Sequence, residues 1–154
     1  MLKLATLIQN PGEPPVESRY NDPAVLAEMG YTGAVIYETT AMSGLSSPDV
    51  VGDGELQRWV SHHFDHVQQR MAAIRDAGMD VYMFYDVLVL ASDLVDRFGE
   101  KVCCRNRPTT LCPASDQALE LSADALVALL QRWPDVAGVV LRFGDTDARR
   151  LPHL

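Results

Sequence analysis

Every helix-like segment of this chain passes to the next strand-like segment through a tight turn, spelled GYTG, AGMD or PDVAG. Every strand-like segment leaves through a long connection: QNPGEPPVESRY, TTAMSGLSSPDVVGDG, and the stretch 87–113. That asymmetry restricts the fold. Parallel strands joined by crossover helices share one C-terminal end, and folds that work at that end lengthen the loops there while keeping the opposite loops short.

The segments are read from periodicity and punctuation. The run 2–8 is a short apolar strand ended by a Pro/Gly-rich loop. In NDPAVLAEMG, Asp22 caps a helix, Pro23 fits its first turn and Gly30 closes it. The run 32–38 is a second strand, with β-branched residues at its centre. Leu56, Val60, Phe64, Val67, Met71 and Ile74 recur at intervals of three and four, which places them on one face of a long helix that Gly78 terminates. A third strand follows at 81–86, and a short helix is expected in VLVLASDLVDRFGE. In SDQALELSADALVALLQRW the inward face is expected to be Leu119, Leu126, Leu129, Leu130 and Trp133. Pro134 and Asp135 stop that helix, and a buried fourth strand is expected at 136–142.

The order β-α-β-α-β-α-β predicts an α/β fold of the (β/α) barrel type, with about four βα units. Four strands are half of an eight-stranded barrel, and the sequence stops in the loop after the fourth. The expectation is therefore a single partial domain, 1–154, forming the N-terminal half of a longer catalytic barrel. A small doubly wound α/β fold is the alternative, because it also works at the strand C-termini. The phosphate-binding fingerprints GxGxxG and GxxxxGK[ST] are absent. The first and fourth strands would be open edges, which predicts a homodimer or docking with the remaining half of the barrel.

A net charge of −8 over 154 residues argues against nucleic acid or an anionic membrane as partner. No signal peptide or membrane span is evident. Cys103, Cys104 and Cys112 form no CxxC pair and are odd in number, so they read as free thiols in a reducing cytoplasm.

In such a fold the chemistry sits at the strand C-termini. These offer Gln9 and Asn10, then Tyr37 and Glu38, then Tyr85 and Asp86, then Arg142, Asp145 and Asp147. Carboxylates and amides hydrogen-bond hydroxyls, and aromatic faces pack on the apolar side of a sugar ring, so the set suits a carbohydrate. HHFDH places His62 and His66 four apart, yet the Glu of an HExxH zinc site is missing, and mid-helix is remote from a barrel mouth. The cysteines lack a fourth metal ligand. No cofactor or metal is expected on the leading reading.

The segment RPTTLCPASDQALELSADALVALLQRWPDVAGVVLRFGDTD resembles the strand-four region of barrel glycoside hydrolases of the α-glucuronidase and β-hexosaminidase kind. In that group a CP-S loop leads into a helix, a -PD-GG turn and a strand ending in a catalytic acidic residue. AGMDVYMFYD resembles the -G-KVY-Y third strand of the same group. The likeness spans the chain as architecture and its last third as motif. It implies a pair of carboxylates acting on a glycosidic bond, with Asp145 as the matching acid and its second partner on a later strand. Several such enzymes carry Glu where this chain has Asp145.

Two further readings compete. One is a sugar isomerase or epimerase holding a divalent metal through Glu38 and Asp86. The other is a non-catalytic carbohydrate-binding or degenerate barrel. Arg142 either pairs with Asp145 or grips a substrate carboxylate such as a uronic acid. Because a nearby guanidinium favours the ionised carboxyl, the first of these would pass the acid role to Asp147 or Glu38.

Overall fold

The computed structural model describes residues 1–7, 18–37, 55–143 and 148–149. Its centre is one sheet of four parallel strands: β1 (Leu4–Leu7), β2 (Gly33–Ile36), β3 (Asp80–Asp86) and β7 (Gly138–Arg142), lying side by side in chain order. Between β3 and β7 the chain makes β4 (Leu90–Ala91) and an antiparallel hairpin, β5 (Cys103–Cys104) with β6 (Arg107–Leu111). After β7, β8 (Ala148–Arg149) pairs in parallel with β4. The helices are α1 (Pro23–Glu28), α2 (Glu55–Asp76), α3 (Ser92–Phe98) and α4 (Asp116–Arg132). The fold is thus mixed α/β on a parallel sheet. Its strands run in sequential order, so the described sheet lacks the reversal that marks a doubly wound fold.

Local chemistry sets the element ends. The Asp22 carboxylate accepts the Ala24 N–H at 2.9 Å, Pro23 occupies the first turn, and Gly30 takes φ +84 to turn the chain into β2. Gly78, at φ +75, does the same between α2 and β3. Ser115 caps α4 by accepting the Ala118 N–H and donates its own hydroxyl to the Lys101 carbonyl, which ties α4 to the hairpin region.

Alternation along the strands sorts the two sheet faces. Ala5, Leu7, Ala34, Ile36, Val81, Met83 and Tyr85 share one buried cluster with Leu26 of α1, Phe64, Val67, Met71 and Ile74 of α2, and Ala118, Leu121 and Leu129 of α4. One face of the sheet therefore carries the helices. The other presents Val35, Tyr37, Tyr82, Phe84, Asp86, Val140 and Arg142. On that face Tyr82 lies between two glycines. A Cβ on Gly33 would stand 2.8 Å from the Tyr82 ring and 3.1 Å from the Asp80 carbonyl, and one on Gly138 would stand 3.0 Å from the opposite ring edge. Gly33→Ala is accordingly expected to cost about 1–3 kcal/mol by overpacking, read by chemical denaturation.

Two expectations are corrected here. Leu119 and Leu130 do not face inward but are exposed, because the sheet-facing stripe of α4 is built from Ala118, Leu121, Ser122, Ala125 and Leu129. The small residues let the helix approach the sheet closely and push the larger leucines to its flank. The fourth strand is not a buried one. It begins at Gly138, its residues are half-buried, and Leu141 is 45% exposed, because β7 is outermost and pairs only with β3 among the described residues. The hairpin and the β4–β8 pair had no sequence counterpart. The side chains of Leu56 and Val60 lie outside those described. Among the described residues, no helix is long and apolar enough to cross a membrane.

Candidate strand-end site

The register of β2, β3 and β7 brings their C-terminal residues together. Asp86 stands opposite Arg142, and Tyr37 follows the last residue of β2. Asp86, 1% exposed, accepts two hydrogen bonds from Arg142: Nε to Oδ1 at 2.5 Å and the second guanidinium nitrogen to Oδ2 at 2.7 Å. This fork-to-fork geometry fixes the plane of the guanidinium. The remaining nitrogen of Arg142 donates to the Tyr37 hydroxyl at 3.3 Å. The guanidinium carbon sits 5.6 Å from the Phe84 ring centre and 6.0 Å from that of Tyr37, and the two rings are 5.0 Å apart. The result is a cation held by a buried carboxylate over two aromatic rings, with the Arg142 side chain 33% exposed.

Of the residues singled out from the sequence, the structure unites Tyr37, Asp86 and Arg142. Arg142 pairs with Asp86, a partner that the sequence argument did not consider for it. Tyr85 is not with them. It points to the helix side, where its buried hydroxyl donates to the Ser122 carbonyl of α4 at 2.6 Å. Period-two alternation alone separates Tyr85 from its neighbours Phe84 and Asp86. Gln9, Asn10, Glu38, Asp145 and Asp147 lie outside the described residues. Phe84 was missed. Its signal was present, since Tyr82, Phe84 and Asp86 alternate along one face of β3.

The loop leaving β3 is bent sharply. Leu88 is 6% exposed and takes φ +62, a left-handed conformation unusual for a non-glycine residue, and its N–H donates to the Ser122 hydroxyl at 3.3 Å.

The other sequence motifs part ways. Within HHFDH, His62 is exposed and His66 half-buried, while His63 is buried with its ring 6.3 Å from that of His66. The three cysteines are free thiols. Burial and the neighbouring Cys112 push the Cys103 thiol up in pKa. Cys104 is also pushed up, by desolvation first, then by its hydrogen bond with Cys112 and the charges of Cys112 and Cys103, against a lowering pull from Arg107. Raised thiols carry less thiolate at neutral pH, which argues against a nucleophilic role. An open cleft of about 300 Å³ lies beside them, lined by Val95, Asp96, Glu100, Cys103, Cys104 and Arg105 among others, and none of the strand-end cluster borders it. No group of three His, Cys, Asp or Glu among the described residues is arranged to hold a metal ion.

Compared with known proteins, the chain matches no family model, no curated protein and no solved structure.

Proposed function

We propose that this chain is half of a (β/α) barrel of the glycoside-hydrolase kind and binds a carbohydrate at the C-terminal ends of its strands. One observation carries the reading: the guanidinium of Arg142, locked by Asp86 over Tyr37 and Phe84 where the strands end. Aromatic faces suit the apolar side of a sugar ring, and the oriented cation suits a sugar carboxylate or ring hydroxyls. The sequential parallel order of the sheet fits half of a barrel.

The pairing assigns roles. With both oxygens of Asp86 accepting from Arg142, Asp86 positions the cation and is not the proton donor. The acid role falls to Asp145, which would protonate the glycosidic oxygen while a carboxylate from the complementary half acts as base or nucleophile. Gln9, Glu38 and Asp147 would bind hydroxyls. The same pairing weakens the isomerase alternative, because the Asp86 oxygens needed for a metal are engaged. Three free thiols fit a reducing cytoplasmic setting.

The test is an NMR titration of the 154-residue protein with a methyl glucuronide and with the matching methyl glucoside. Saturable shifts at the Arg142 Nε and at the Tyr37 and Phe84 rings are expected, with tighter binding of the uronide. Tyr37→Ala is expected to weaken that binding about tenfold, the value of one aromatic contact. Absence of a saturable shift with either sugar would overturn the reading.

A further inference from the structure

The three cysteines stand at one place in the fold, the hairpin that precedes α4. In its antiparallel ladder Cys103 faces Leu111, and the Cys112 N–H donates to the Val102 carbonyl at 2.8 Å, which extends the pairing by one residue. Period-two alternation then divides the thiols. Cys103 and Leu111 turn inward, 8% and 0% exposed, and both belong to the core cluster. Cys104 and Cys112 come next after them and share the opposite face, where both are half-buried.

On a regular ladder Cys104 and Cys112 would be diagonal neighbours. The register shifts between Cys103 and Cys104, and such an irregularity re-aims the side chain beside it. The Cys104 thiol donates to the Leu111 carbonyl at 3.8 Å, which sets its sulfur beside the peptide that joins Leu111 to Cys112, and it is hydrogen-bonded with the Cys112 thiol. Cys104 also lines the open cleft of about 300 Å³, so a small molecule has a path to its sulfur.

We infer that Cys104 and Cys112 are a reversible dithiol–disulfide pair, oxidised by a low-molecular-weight disulfide that enters the cleft. The Cys104 thiol loses its proton, and its sulfur attacks one sulfur of the incoming disulfide, forming a mixed disulfide and releasing one small thiolate. The Cys112 sulfur, deprotonated in turn, attacks the Cys104 sulfur and releases the second. Two protein thiols are oxidised, the two sulfurs of the small disulfide are reduced, and the two protons pass to the departing thiolates. Cys103 takes no part because its side chain is turned into the core. The raised pKa that counts against Cys104 as a fast nucleophile makes the first attack slow. It also denies the reduced state any stabilisation as thiolate, so proximity of the two sulfurs sets the equilibrium. The bond would clamp the open end of the hairpin next to Ser115, whose N–H donates to the Cys112 carbonyl and whose hydroxyl donates to that of Lys101.

The 154-residue protein, reduced and then equilibrated with glutathione disulfide, is expected to fall from three titratable thiols to one. Its mass is expected to drop by two hydrogens with no glutathione retained. Trypsin, cutting after Lys101 and Arg105, is expected to yield the peptide of Cys103 and Cys104 covalently joined to that of Cys112. Cys103→Ala is expected to keep this link and Cys104→Ala to abolish it, while Cys112→Ala stops at one glutathione held on Cys104. Neither Cys104 nor Cys112 is in the core, so the last two variants are expected to keep the circular dichroism spectrum of the parent. Excess reduced glutathione is expected to restore three thiols. Three thiols persisting at high glutathione disulfide, a link that survives Cys104→Ala, a bond between Cys103 and Cys104, or one between two copies would each overturn the inference.

Discussion

Replacing Trp133 with alanine is expected to lower the unfolding free energy by about 3–5 kcal/mol, the range for deleting a buried aromatic side chain. Trp133 is 3% exposed, packs on Phe64 with ring centres 5.0 Å apart, and donates its indole N–H to the Gln68 side chain at 2.8 Å. It is the residue at which α4 ends and the place where α4 meets α2. Trp133→Phe keeps most of the packing and loses the hydrogen bond, so its expected cost is about 1–2 kcal/mol. Urea denaturation measures both, and a loss below 1 kcal/mol for the alanine variant would contradict the packing of α4 on α2.

Arg142→Met is expected to destabilise the protein by about 3 kcal/mol near neutral pH, since it leaves a buried carboxylate without its guanidinium. The converse change is milder. Asp86→Asn keeps a hydrogen-bond acceptor, and the third of Arg142 that is exposed lets water reach the cation. Arg142→Met combined with Asp86→Leu is expected to recover most of the loss, because no buried charge then remains to be solvated. Equal losses for the single and double variants would mean that the pair contributes shape rather than charge compensation.

Much of the architecture was legible in the sequence because its signals are local. Asp22–Pro23 and Gly30 mark the ends of α1, Gly78 marks the end of α2, and β-branched or aromatic runs mark β2 and β3. Burial was less legible where it depends on neighbours. The run Val139-Val140-Leu141 has the composition of a buried strand, yet only its place at the sheet edge decides how much of it is covered. On α4, leucine content pointed to Leu119 and Leu130, whereas the close approach to the sheet selected Ala118, Ser122 and Ala125. The hairpin of β5 and β6 was invisible for another reason: CCRNRPTTL has neither clear alternation nor a two-residue glycine turn. At the strand ends, residue type nominated Tyr37, Asp86 and Arg142 among a larger set, and the sheet brings these three together. The partner of Arg142 depended on the register between β3 and β7, which no one-dimensional pattern contains.

Ser122 holds the chain on both sides of Asp86. Its carbonyl accepts from the Tyr85 hydroxyl and its own hydroxyl accepts from the Leu88 N–H, so residues 86 and 87 are strung between two anchors on a single turn of α4. The same helix carries, on its outer flank, Leu119, Val127 and Leu130. The place of α4 against the sheet and the place of the carboxylate that orients Arg142 are thereby fixed by the same residue, Ser122.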